Sequence, residues 1–223
     1  MTIAALRRLR PPAPRRPADW LAMAIFGWLA WGPLRLILAG HANSYLILML
    51  AFYLLLVLVY LFRPPPAVPA IGPLERHLPL AVTFAPAAIL RLHPTAAPPQ
   101  GAILTCSLGV ALALWGLIHL RGNFSIMVEG RALVTSGPYR WIRHPIYLGE
   151  IITLAGLVWL SPHPVTIAGA LLIGCGQLWR AWLEERKLAR CFGDRFDAYR
   201  RRSVWFPAPG AGRDGAPPPP SGG

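Results

Sequence analysis

The chain is short of charge, and of acid above all. Only 14% of its 223 residues are charged, and nine Asp and Glu stand against 22 Lys and Arg. A soluble domain of this size carries about 25% charged residues, so an ordinary water-soluble globule around one core is excluded. Cysteine is scarce as well. Cys106, Cys175 and Cys191 form no CxxC pair and two lie in apolar runs, which excludes a disulfide framework and a thiolate zinc site and leaves all three as packing residues. The sequence has no nucleophile elbow, no Walker loop and no HExxH. His41, His77, His93, His119 and His163 match no ligand spacing, so no metal centre is expected.

What the chain has is length of apolar sequence. Segments at 20–39, 44–62, 78–92, 101–120, 146–161 and 164–183 are candidates to cross a bilayer, and SYLILMLAFYLLLVLVYLF (44–62) has the roughly 20 uncharged residues a membrane helix needs. The run at 78–92 is the weakest, being short and holding Pro79 and Pro86. The expected fold is all-α, a polytopic membrane helix bundle of six transmembrane helices, with five as the alternative. Four parts follow: a basic arm at 1–19, four membrane helices within 20–120, a core at 121–207, and a Pro/Gly tail at 208–223 that reads as disordered. The arm lacks a signal-peptide pattern and reads as a cytoplasmic lead into a retained helix.

Charge placement tests this layout. With six crossings and the N-terminus inside, twenty Lys and Arg fall on the inner side, against Arg91 outside and Arg35 in or near the first helix. By the positive-inside rule both termini and the 121–145 insert face the cytoplasm, so the insert and the C-terminal region are able to meet. The basic residues bracket membrane segments, where they orient the protein and attract anionic headgroups. Membrane lipids rather than nucleic acid are therefore the expected partners of this charge.

The polar insert is dense where it meets the next helix. GPYRWIRHPIYLG (Gly137 to Gly149) packs three rings, two arginines, a histidine and two prolines into thirteen residues. His144 precedes Pro145, so His144 is expected at a turn and a helix at once after it. That helix start offers free N–H groups to an anionic group. The rings of Tyr139, Trp141 and Tyr147 suit a planar base or a cation. On the last apolar helix Arg180 and Glu184 share a face one turn apart, with Trp179 and Glu185 on the adjoining one. A carboxylate there suits ribose hydroxyls or an ammonium, and the arginine an anionic substrate. Bland readings stand beside these: an aromatic interface belt, an ordinary i,i+4 ion pair, and, for Glu150, a charge on the helix start. After Gly193 a short amphipathic helix is expected to lay Phe196 and Tyr199 on the membrane.

LVTSGPYRWIRHPIYLG followed by EERKLARCFGDRFDAYRRRSVWFP resembles the isoprenylcysteine carboxyl methyltransferases and their bacterial relatives, near kin of the phospholipid methyltransferases. The resemblance runs from Gly122 to Pro207. It implies an integral membrane enzyme that uses S-adenosyl-L-methionine, in a bacterial inner membrane, with the cofactor site on the cytoplasmic side. It carries cofactor contacts onto Arg131, Ala132, Leu133, Val134, Tyr139, His144, Pro145, Ile146, Tyr147 and Glu184, and the catalytic, substrate-holding arginine onto Arg180. Arg131 departs from the histidine of the eukaryotic enzymes, and Glu129 lies near a family glutamine at a different spacing. The implied reaction is methyl transfer to a lipophilic small-molecule or lipid acceptor, an isoprenylcysteine-like carboxylate in the first instance, with a phospholipid amine or a small thiol as alternatives. An ionised acceptor needs only alignment and exclusion of water, and no base for a protic acceptor stands out in the sequence. A non-catalytic scaffold or transporter is the third reading, disfavoured because the first four segments hold almost no ionisable residue besides Arg35.

Overall fold

The computed structural model describes residues 17–62, 98–120 and 133–205. Most of the basic arm, the 78–92 segment, Glu129, Arg131, Ala132 and the 208–223 tail lie outside the described residues. Six α-helices follow in order: α1 (Pro17–Leu38), α2 (Ser44–Phe62), α3 (Gln100–Leu120), α4 (Pro145–Leu160), α5 (Pro164–Phe192) and α6 (Asp194–Arg202). A 3-10 turn, Gly137–Arg140, precedes α4. Among the described residues there is no strand, only an isolated parallel bridge between Ile142 and Val204.

The five apolar runs among the described residues became helices, the last of them extending past its apolar part. α1, α2 and α3 are long and apolar enough to cross a membrane, while α4 is an apolar helix of 16 residues. α5 joins an apolar first part to the charged LEERKLAR and leaves the apolar region without a break. Their outer faces carry large apolar side chains, among them Trp28, Leu38, Phe62, Leu171 and Leu172. Such surface is a liability in water and ordinary against lipid. The chain is an integral membrane protein.

Neighbouring helices pack in chain order. Ala22, Met23 and Phe26 of α1 meet Leu56, Val59 and Tyr60 of α2, Ala113 and Leu117 of α3 and Ile146 of α4 in one apolar cluster. Ser44 and Ser107 hydrogen-bond at 2.8 Å at the other end of the bundle, so α2 and α3 run in the same direction. α3 and α4 run antiparallel and approach most closely. Gly109 faces Gly149 and Thr153, Gly156 faces Cys106, and Gly116 faces Pro145 and Ile146. A stripe of small residues lets two backbones come together where lipid supplies no hydrophobic drive. Hydroxyls in these helices are satisfied locally: Thr105, Ser107 and Thr153 each donate to the carbonyl four residues back. Cys106 sits fully buried in this seam, where its thiol donates to the Thr153 carbonyl at 3.7 Å.

A Cβ at position 149 would fall on backbone atoms of Gly109 and Ala113, which cannot step aside. Gly149→Val should therefore lower the unfolding temperature in detergent, at a cost of about 1–3 kcal/mol or more. Gly174→Ala, where no atom lies within 4 Å of the added carbon, should leave it unchanged or slightly raised. Equal melting of both variants would contradict the close seam.

Candidate functional site

The site is assembled where α3 ends, α4 begins and α5 leaves the apolar region. Gly137 takes a left-handed φ of 59°, and its missing Cβ leaves room for the His119 ring against the backbone. Pro138 opens the 3-10 turn, and its carbonyl accepts from the N–H groups of Trp141 and Ile142. His144 stands just outside α4, with Pro145 at the first helical position, as the His-Pro pair implies.

His144 is 4% exposed. Its ring stacks on Tyr147 at 5.5 Å and meets Trp205 edge-on at 6.1 Å. Its Nε2–H donates to Glu185 Oε1 at 3.3 Å, which fixes the tautomer, and Arg143 Nε donates to the same oxygen at 2.6 Å. Arg143 continues to the carbonyls of Arg200, at 3.1 Å, and of Ser203. The two backbones are laced together here: Arg143 N–H donates to the Val204 carbonyl and Val204 N–H to that of Trp141. The Tyr199 hydroxyl donates to the Tyr139 carbonyl at 2.7 Å. Residues 194–205 thus form a strap across the turn before α4.

One turn along, Tyr147 Oη donates to Glu184 Oε2 at 3.0 Å, and the Arg180 guanidinium lies 5.1 Å from the Tyr147 ring centre. Deeper, Arg180 Nη1 donates to Gln177 Oε1 at 3.1 Å, and Gln177 Nε2 donates to Glu150. His144, Tyr147, Arg180 and Glu184 thus meet, as expected. Leu133 and Val134 are partly buried in irregular chain before the turn. Pro145 and Ile146 turn their side chains towards Gly116 and the apolar cluster, leaving their backbone nearest the site.

Other expectations need correction. Phe196 and Tyr199 do not lie on the membrane: they are 1% and 5% exposed inside the strap, where the Tyr139 carbonyl gives the phenol a partner. The three rings do not form one sandwich. Tyr139 is buried beneath the turn, while Trp141 is exposed between Trp115 and the Arg140 guanidinium. Burial raises the Tyr139 phenol well above its usual range and the Tyr199 phenol to about 12, so both stay neutral near pH 7. Gln177, Trp205 and the fastening role of Glu185 went unrecognised because Glu150, His144 and Arg143, which they meet, are 27 to 61 positions away, and only the doubled glutamate at 184–185 hinted at two roles. Among the described residues no cluster able to hold a metal ion occurs.

The side chains suit an adenosyl sulfonium. A carboxylate at Glu184, beside the Tyr147 hydroxyl and the His144–Tyr147 stack, offers acceptors for ribose or ammonium groups and ring faces for a cation or a flat base.

Glu185 lies beyond the apolar part of α5. Burial alone would raise its carboxyl, but hydrogen bonds from His144 and Arg143 outweigh that and hold it below the usual carboxylate range. A depressed native value means stability present above the unfolded value and lost as pH falls through the native one. Acidification below about pH 4 should loosen the strap, seen as faster amide exchange at Val204. Glu185→Gln should show that faster exchange already at neutral pH, with little further change on acidification. A parent-like pH response in the variant would show that Glu185 is not the group responsible.

Residues 102–190 match the model of the isoprenylcysteine carboxyl methyltransferase family. The nickel-cobalt-cadmium resistance protein NccN of Alcaligenes xylosoxydans xylosoxydans is 32% identical over 115 residues, 48% of this chain and 51% of that protein. The methanethiol S-methyltransferase of Mycobacterium tuberculosis is 38% identical over 76 residues, 32% and 29% of the two chains. The protein-S-isoprenylcysteine O-methyltransferase of Tribolium castaneum is 27% identical over 110 residues, 45% and 38%. The chain spans about half or less of the length of these curated relatives. By this match the segment from α3 through most of α5, residues 102–190, is similar to the isoprenylcysteine carboxyl methyltransferase family.

Proposed function

We propose that this chain transfers a methyl group from S-adenosyl-L-methionine to a lipophilic acceptor at the cytoplasmic face of a bacterial inner membrane. The observation that carries the reading is the convergence of His144, Tyr147, Arg180 and Glu184 at the junction of α4 and α5, inside the segment that matches the family. When bound, the cofactor supplies an electrophilic methyl on a sulfonium.

The chain's part is to bind, align and exclude water. Glu184, held by the Tyr147 hydroxyl, takes ribose hydroxyls or the ammonium. His144, fixed by Glu185, and the backbone at Tyr139 and at 144–147 line the cofactor, with Leu133 and Val134, and with Arg131 and Ala132 outside the described residues, completing the set. Arg180 faces inward from Glu184 and orients the acceptor, an isoprenylcysteine-like carboxylate by the family's example. Alignment of two partners in a dry site is most of what a displacement at a sulfonium carbon requires. A small thiol is the second reading, favoured by the likeness to the methanethiol S-methyltransferase.

Six crossings with both termini cytoplasmic are supported by helix direction and charge. α2 and α3 run the same way, as six crossings require. The basic residues concentrate at the end of the bundle where the site lies.

Detergent-purified protein should bind S-adenosylhomocysteine, and His144→Ala or Glu184→Ala should each weaken binding about tenfold or more, the loss expected for a hydrogen bond to a charged group. Arg180→Ala should leave that binding nearly intact and abolish transfer of labelled methyl to membrane extracts. If both the His144 and Glu184 variants bind like the parent, the cofactor does not sit there.

A further inference from the structure

Glu150 lies roughly 8 Å along α4 from Pro145, at about 1.5 Å per residue, on the bilayer side of Arg180. Its carboxylate accepts from Gln177, which in turn accepts from Arg180, and both partners are almost fully buried. The polar groups make a ladder in one-turn steps. Glu184, Arg180 and Gln177 descend α5, while Tyr147 and Glu150 descend α4. Polar contacts that only join two membrane helices need an amide or a hydroxyl, not a carboxylate. An ionisable group in a membrane-spanning bundle calls for a working role. The titratable groups that interact with Glu150 are Arg180 from α5, Tyr147 of its own helix and Tyr53 from α2.

Arg180 already stands between two carboxylates, Glu184 by way of Tyr147 and Glu150 by way of Gln177. An ionised carboxylate acceptor, the first reading above, would pair with Arg180 and call for no base. An amine is protonated near pH 7 and would meet the Arg180 charge. A thiol, with an ordinary value of about 8.5, arrives neutral and has a proton to lose.

Building on the methyl-transfer reading above, we propose that Glu150 is the base that accepts the proton of a neutral lipophilic thiol as that thiol is methylated. The S–H proton passes to the Glu150 carboxylate, and the thiol sulfur's electron pair forms the new bond to the methyl carbon. The bond from that carbon to the donor's sulfonium sulfur breaks, and its electron pair stays on the donor sulfur. One carboxylate and one sulfonium charge vanish together, leaving two thioethers and a neutral Glu150. A low-dielectric interior favours a step that removes opposite charges held apart. Glu150 releases the proton to water before the next turnover.

Glu150→Gln retains the shape and an oxygen for Gln177 to donate to. It should bind S-adenosylhomocysteine like the parent, yet transfer labelled methyl to an alkanethiol about a hundredfold more slowly, the scale of a lost general base. Infrared difference spectra of the cofactor-free protein, between mildly acidic and mildly alkaline buffer, should contain a carboxyl C=O band that is missing from the variant. Glu150→Ala should regain thiol transfer on addition of formate, which a packing role would not produce. Parent-like thiol transfer by Glu150→Gln, an unchanged infrared spectrum, or no rescue by formate would each overturn the assignment. If the parent itself neither binds S-adenosylhomocysteine nor labels any acceptor, the methyl-transfer reading fails instead, and the infrared spectra alone decide whether Glu150 titrates.

Discussion

One carboxylate oxygen, Oε1 of Glu185, holds the two halves of the site in register. It accepts from Arg143 and from His144, the last two residues before α4, while sitting on the final turns of α5. That junction sets how α4 leaves the surface turn, and with it where Tyr147 meets Glu184. Arg143 has donors left over, and it spends them on the carbonyls of Arg200 and Ser203, so the same junction secures the strap that covers the turn. Adjacent residues on a helix point about 100° apart. The doubled glutamate therefore divides its work: Glu185 fastens the chain, and Glu184 faces Tyr147.

The second constraint comes from the surroundings. Within hydrocarbon a polar group has to find its partner inside the protein, and α3 and α4 do this with hydroxyls bonded to their own backbones, while α4 and α5 do it with the Glu150–Gln177–Arg180 chain. The glycines at 109, 149 and 156 serve the same end by a different route, bringing α3 and α4 close enough for backbone contact. The site is thus backed by a seam that leaves the start of α4 little freedom to shift.

The helices were legible because the signal is local. Uncharged runs of membrane length gave α2 with its observed ends, and His-Pro gave the start of α4 to within one residue. The pairing of α4 with α5 followed from the positive-inside rule and from chemistry-bearing residues that had no other use. What stayed hidden was contact between residues far apart in sequence. Nothing near Glu150 marks Gln177 as its donor, and a carboxylate five residues into a helix reads as a dipole charge until the neighbouring helix is seen. Phe196 and Tyr199 misled for a related reason. Two rings three positions apart on a basic helix describe a face that seeks apolar cover equally well from lipid or from protein, and the hydrogen bond to Tyr139 decided for protein.

The account depends on a single ligand lying between the start of α4 and the end of α5. A structure of the detergent-purified chain with S-adenosylhomocysteine bound tests this most directly. The ligand should place a ribose hydroxyl or its ammonium at about 3 Å from the Glu184 carboxylate and its thioether sulfur towards Arg180, with the His144–Tyr147 stack alongside. A ligand seated away from both Glu184 and His144 would contradict it.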